Sequence, residues 1–350
     1  MLTIDVGFFL PLSSFGSFKS LMRTSLCFGC VSNLEKDPQL MRIETDAAAS
    51  APVEILEPRD VPLGGPRAMG VRRTLPQRSR SLIGGWCFVD HYGPEDVAME
   101  VPPHPHTGLQ TVSWLFSGDI DHRDSVGSHA TVRPGEVNLM TAGRGIQHSE
   151  VSTPQSTLLH GVQLWVALPD AHRHVPPFFE HHKPQPFTFG GATFHVFVGA
   201  LLGGSSPVSA FSALLGAQVD LPPLTTVTIP VRSDFEHGIL LDTGSLSIND
   251  VDVPLNHLAY LAPGCGSITV EAGPDGARII LLGGEPLGEQ IVMWWNFIGR
   301  SHDEIVGFRN EWQRDVIAGA TDDGRFGSTA YDGSALPAPE LPNVTLRPRG

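Results

Sequence analysis

The chain is poor in charge. Lys, Arg, Asp and Glu make up 17% of its 350 residues, against 38 Gly and 30 Pro. Long solvent-facing helices need more charge than that, so many short strands joined by turns are favoured. Positive charge is the scarcer sign: 23 basic against 37 acidic residues leave a formal net charge of −14. This argues against direct nucleic-acid binding through the whole surface. One local basic patch exists, Arg67, Arg72, Arg73, Arg78 and Arg80. Loop arginines of this kind read as solvated or paired with acidic neighbours. Cysteine is also sparse: Cys27, Cys30, Cys87 and Cys265. Cys27 and Cys30 have C-x-x-C spacing, but no second such pair and no strand–helix context supports a zinc or redox motif. Four scattered cysteines make no disulfide framework, which favours a reducing compartment and a cytoplasmic protein. No apolar run approaches membrane-spanning length. The opening "MLTIDVGFFLPL" lacks the preceding Lys or Arg of a signal peptide. Patterned sequence begins only after Met41, so residues 1–45 read as a disordered extension or a mis-assigned start.

What is present is strand pattern. From Val53 to Pro169, "PVEILE", "SLIGGWCFVDHY", "TVSWLFSG", "ATVRPGEVNLM" and "GVQLWVAL" alternate with turn signals such as "RPGE" and "AGRG". In the last of these, Val162, Leu164, Val166 and Leu168 share one face and Gln163, Trp165 and Ala167 the other. A Pro- and His-rich break follows, "PDAHRHVPPFFEHHKPQP". Its histidines, His172, His174, His181 and His182, are irregularly spaced and read as solvated linker residues. About seven more strands follow, so the halves suggest a duplicated β-sandwich or barrel. Ser301 with Glu304 three residues later is a capping-box signature. Ile305, Phe308, Trp312 and Val316 then fall on one helical face, with Gly319 as a stop. The tail is Pro-rich and reads as extended or disordered. Its "NVT" matches a glycosylation acceptor, which a cytoplasmic protein would not use.

The chemistry lies in two short stretches. "HPHTGLQ" carries His104 and His106, and "TAGRGIQHSE" carries His148 and Glu150. Each pair is spaced by two, so on a strand both side chains project from one face. Gln110 would fall on the same face as His104 and His106. A lone H-x-H is more often structural or surface-exposed than ligating. Two pairs of matching parity, each beside a Gly-rich turn, point to a site for a divalent first-row metal. His122 and His129 sit in a polar stretch and read as loop residues near the pocket mouth at most. His91 and His160 lie in the same half, without an assigned role. In the second half, His195, His237 and His257 have no partner at two-residue spacing, so no metal is expected there.

"HPHTG", "PGEVNLMTAGRGIQHSE" and "HGVQLWVAL" together resemble the N-terminal half of the pirin family, within the cupin superfamily. "GVRRTLP", "LLGGEPLGEQIV" and "DEIVGFRNEW" extend the resemblance over about Val53 to Gly319. It implies an all-β bicupin: two tandem jelly-roll-like β-barrels with a short C-terminal helix. The expected divisions are a metal-binding cupin over 46–170, a linker over 171–186 and a metal-free cupin over 187–299. A helix over 300–319 and a tail over 320–350 follow. By the same resemblance the metal ligands are His104, His106, His148 and Glu150. Gln110 stands where the cupin pattern usually has Glu, which would remove a carboxylate from beside the site.

Such a ligand set suits Fe(II), with Ni, Mn, Cu, Co or Zn as alternatives. The resemblance implies a dioxygenase that cleaves flavonols of the quercetin type with O2 and releases carbon monoxide, with Glu150 as ligand, base or both. Trp114, Phe116, Met140 and Leu164 are candidates for the pocket wall, although core packing is the commoner role. A second reading is a non-catalytic, iron- and redox-responsive partner of a transcription regulator or metabolic enzyme, with Arg72 and Arg73 on its docking surface. A third is a metal-stabilised barrel without chemistry. No membrane partner is expected.

Overall fold

The computed structural model describes residues 52–62, 69–154 and 158–350. The expected N-terminal extension, Cys27, Cys30 and Arg67 lie outside the described residues. Nearly every element is an antiparallel β-strand. A seven-stranded and a four-stranded sheet form the first barrel, and a ten-stranded sheet forms the second. The helix His302–Trp312 follows. Among the described residues no helix is long and apolar enough to cross a membrane.

The alternation in "GVQLWVAL" decides how the barrels meet. On the strand Leu158–Ala167, Val162, Leu164 and Val166 face away from the first barrel's interior. They pack with Val112 and Trp114 against Phe197, Val198, Leu240, Ile280 and Leu282 of the second barrel. The other parity, Gln163 and Trp165, lines a cavity inside the first barrel. Trp114 and Leu164 are therefore inter-barrel core and not pocket wall, and Phe116 is partly buried beside that same core. Met140 lies in a separate cluster with Phe88, Leu109 and Trp165. The second barrel fills its own interior with aliphatics, among them Val227, Ile229, Ile239, Ile268, Val270 and Ile279. A core of that kind supplies stability at about 25 cal/mol per Å² of apolar surface buried. This leaves the first barrel free to keep polar side chains inside.

Three segments sit differently from their sequence reading. The strand Val53–Leu56 pairs with Leu258–Leu261 of the second barrel's sheet, Val53 opposite Leu261. The segment read as linker contains the strand Phe178–His182, which pairs with Val137–Thr141 of the first barrel. The tail is irregular but packed. Leu336 donates its backbone N–H to Pro103 O at 2.8 Å, and Trp312 Nε1 donates to Leu336 O at 2.9 Å.

The helix starts at the expected N-cap, with Ser301 Oγ accepting from Glu304 N at 3.2 Å. The Glu304 carboxylate accepts from Arg300 N at 2.6 Å and pairs with Arg173 at 2.9 Å. Ile305, Phe308 and Trp312 are buried and Val316 is partly so, in a cluster with Phe297 and Phe326. Gly319 follows with φ +67°. Of the basic patch, Arg73 pairs with buried Asp90 and Arg80 with Glu54, each at 2.7 Å. Arg72 reaches His91 Nδ1 at 3.3 Å and also donates to Gly93 O.

Candidate metal centre

The strand Glu100–His106 carries His104 and His106, and the strand Ile146–Ser152 carries His148 and Glu150. They pair antiparallel, His148 opposite His104 and Ile146 opposite His106, with a bulge between His148 and Glu150. Equal parity on two facing strands gathers the histidines on one side of the barrel wall. Ring centroids lie 4.4 Å apart for His104 and His148 and 5.0 Å for the other two pairs. Gly108 makes the exit turn at φ +67°, where a Cβ would stand 2.5 Å from Ile298 O. Only glycine fits both demands.

All three imidazoles are buried. Burial lowers each of their pKa values: His104 falls to about 4, and His106 and His148 fall well below the usual value. Unprotonated, each offers a lone pair. His104 Nδ1 donates to Pro102 O at 2.9 Å, which leaves Nε2 as its lone-pair nitrogen. His106 Nε2 and His148 Nε2 are 3.1 Å apart. Two such lone pairs repel unless a cation lies between them. An ion with bonds of about 2.0–2.1 Å to each nitrogen fits that gap. The donor set therefore suits a divalent metal.

Glu150 is buried, and burial raises its pKa. It lines the same cavity as His104 and His106, and its Oε1 accepts from Ser113 Oγ at 3.2 Å. Among groups of potential ligand atoms, Glu150 falls with His148 and His122, while His104, His106 and His148 form a group without it. His122 was missed by the sequence reading. It is no loop residue: it lies on the strand Ile120–Asp124, opposite Glu150. There Ile120, His122 and Asp124 are buried while Asp121 and Arg123 are half-exposed. That alternation in "IDHRD" was the available signal. His122 Nδ1 is 3.3 Å from His148 Nδ1, and His122 Nε2 is 3.2 Å from Asp124 Oδ2. His129 is exposed and pairs with Asp121 at 2.7 Å.

Gln110 does not share the histidines' face. The chain turns at Gly108 and begins a new strand, Leu109–Ser117, so parity does not carry across. Gln110 Nε2 donates to Thr141 Oγ1 at 2.9 Å and to Ser209 O of the second barrel at 3.0 Å. The opposite parity, through Ser113, reaches Glu150. A glutamine at 110 thus removes no carboxylate from beside the histidines.

The cavity above the histidines has a volume of about 460 Å³. Phe88 and Trp165 stack at 4.0 Å as one wall, and the Arg73 guanidinium lies 4.2 Å over Phe88. The hairpin joining Val292–Trp294 to Phe297–Gly299 adds Met293, Trp294, Trp295 and Asn296 to the rim. In the second barrel, one strand pair puts Val227 opposite Val270 and Ile229 opposite Ile268, all four buried in its aliphatic interior.

A second histidine cluster bridges the barrels. His91 Nε2 and His160 Nε2 each lie 2.6 Å from Asp242 Oδ1. Arg72 donates to His91 Nδ1 and Arg278 to His160 Nδ1, both at 3.3 Å. Each Nδ1 is therefore an acceptor and each Nε2 carries the proton given to Asp242. No imidazole lone pair remains for a metal, and the arginines oppose one. The linker histidines join no cluster of potential ligands among the described residues.

A model of pirin matches residues 68–166, and a model of the pirin C-terminal cupin domain matches residues 216–317. The chain belongs to the pirin family. A Pseudomonas aeruginosa pirin relative, provisionally named quercetin 2,3-dioxygenase, is 41% identical over 290 residues, 81% of this chain and 89% of that protein. A pirin-like protein of Caulobacter vibrioides is 34% identical over 69% of this chain and 88% of its own length. Among solved structures, a quercetin 2,3-dioxygenase from Acinetobacter baumannii superposes with a TM-score of 0.78 at 36% identity. It covers 85% of this chain and 97% of its own.

Proposed function

We propose that this pirin is a metal-dependent dioxygenase of quercetin-type flavonols, holding one Fe(II) on His104, His106, His148 and Glu150. The observation that carries the reading is the convergence of three buried imidazoles beneath an aromatic-walled cavity. The names of the 41% and 36% identical relatives support the substrate class. The bound ion would supply Lewis acidity toward a substrate hydroxyl and an open position for O2.

The chain's own residues do the rest. The Phe88–Trp165 stack offers a flat apolar wall to a fused aromatic ring. Arg73, held by Asp90 through two hydrogen bonds at 2.7 and 2.8 Å, lies over Phe88 and fixes that wall. Glu150, its pKa raised by burial, is suited to accept the hydroxyl proton. Ser113 Oγ lies 3.2 Å from Glu150 and 2.8 Å from Gln163 Oε1, so its one proton turns to Glu150 or to Gln163 as the carboxyl's state changes. The rim hairpin limits water. A cytoplasmic setting fits the unpaired thiols of Cys87 and Cys265. Arg72 and Arg73 face buried partners rather than presenting a docking surface, which favours the enzyme over the regulator-binding reading.

The test is anaerobic loading with Fe(II), then measurement of quercetin loss and carbon monoxide release. Turnover in the wild type and its loss in Glu150→Gln are expected. A loaded protein that leaves quercetin intact, with each of the other candidate metals as well, would overturn the enzymatic reading.

A further inference from the structure

The open end of the second barrel forms a cavity of about 360 Å³, within the range of small-molecule sites. Its walls are apolar, with Leu201, Leu215, Pro230 and Phe235 among them, and His237 stands inside. His237 lies on the strand Glu236–Ile248 with the parity of Ile239 and Leu241, so it points into the barrel's aliphatic interior. It is fully buried, and neither ring nitrogen has a hydrogen-bond partner. Outside the facing nitrogens of His106 and His148, the other buried imidazoles, His91, His104, His122, His148 and His160, each have a partner on at least one nitrogen. A buried polar group without a partner is uncommon and calls for an occupant.

Space for the ring is built in. Gly283 sits opposite His237 in the sheet. A Cβ at Gly283 would stand 3.2 Å from both the His237 and the Phe235 ring carbons. Burial lowers the His237 pKa to about 4, so the ring is neutral. A neutral imidazole offers one N–H and one lone pair, the complement of a hydroxyl. A metal is not suited, because His237 is the single imidazole among apolar walls. An anion is not suited either. The one cation at the rim, Arg232, is taken by Asp234 and Glu285 at 2.5 Å each and lies over Phe235 at 4.2 Å.

We propose that the second barrel is a binding site for a small, uncharged, hydroxyl-bearing apolar molecule of the phenol class, held through His237. The inference is independent of the metal centre, whose strands lie in the other barrel.

The experiment uses the full chain with zinc present and histidine labelled for NMR, titrated separately with phenol, toluene and benzoate. Phenol should shift the His237 ring signals and bind at least about fivefold more tightly than toluene, the gain of one buried hydrogen bond. Benzoate should leave those signals unmoved. His237→Leu should bring phenol down to the toluene level, and His237→Gln, which keeps a donor and an acceptor, should retain the preference. Equal binding of phenol and toluene by the wild type would overturn the proposal. So would His237 signals that phenol never moves, which would show that water alone meets the ring. If His237→Leu does not fold, the wild-type comparison and His237→Gln still decide.

Discussion

His122 Nδ1 lies 3.3 Å from His148 Nδ1, on the side of His148 away from His106. One proton must lie between these two nitrogens. His122 Nε2 faces Asp124 Oδ2 at 3.2 Å, and Asp124 Oδ1 accepts from Val126 N at 3.0 Å and Ser128 N at 2.9 Å. A carboxylate fixed by backbone amides thus orients one imidazole, which orients the next. In that chain His122 Nε2 donates to Asp124, its Nδ1 accepts from His148, and His148 Nε2 keeps its lone pair toward His106. Partners of this kind are worth about 10–100-fold in metal affinity. His122→Ala should weaken metal binding by that order in a competition titration while leaving one ion per chain at saturation. Unchanged affinity would show that the alignment is idle.

Gly108 joins the strand of His104 and His106 to the strand of Ser113. Gly108→Ala would force both a left-handed φ and a 2.5 Å approach to Ile298 O. A stability loss of roughly 1–3 kcal/mol is expected in urea unfolding, together with weaker metal binding. A variant as stable as the wild type would mean that the turn has another conformation.

Asp242 ties the barrels together. Burial alone would raise its pKa, but hydrogen bonds from His160 and His91 and the charge of Arg278 outweigh this and hold it below the usual carboxylate range. Asp242→Ala leaves two imidazole N–H groups and an arginine without their acceptor, and should cost about 3–5 kcal/mol. Thermal unfolding followed by calorimetry checks it. A shift of only one or two degrees would contradict the structure of this cluster.

Acid should act through the same groups. A carboxylate with a depressed folded pKa contributes stability that is present above its unfolded value of about 3.9 and is lost as pH falls through the folded value. Buried imidazoles held neutral have the same sign. His237, at about 4 when folded against about 6.5 unfolded, contributes fully above pH 6.5 and loses its contribution as pH falls toward 4. The metal-free protein should therefore weaken between pH 6.5 and 4, by on the order of 3 kcal/mol from His237 alone. His237→Leu should flatten that part of the curve. Parallel curves for the two proteins would refute the assignment.

Much of this was legible in the sequence. Spacing by two paired His104 with His106 and His148 with Glu150; the strand pairing gathers the three histidines, and Glu150 falls in a group with His148 and His122. "GVQLWVAL" separated two faces without saying which met the neighbouring barrel, so Leu164 was a candidate for the wrong one, and Ser301 marked the helix start. Gln110 was misjudged because parity was counted through a turn, and a left-handed Gly108 resets it. His122 escaped notice because its neighbours Asp121 and Arg123 make the strand look like a polar loop. The pairing of Val53–Leu56 with the second barrel joins residues some two hundred positions apart, and local pattern carries no record of such a partner.

The central claim is that one divalent ion is held by His104, His106, His148 and Glu150. Metal stoichiometry of the wild type beside His104→Ala and His148→Ala, measured after anaerobic Fe(II) loading and gel filtration, tests it most directly. One ion per wild-type chain and none retained by either folded variant is the expected result. Variants that keep one ion per chain with wild-type affinity would contradict the account.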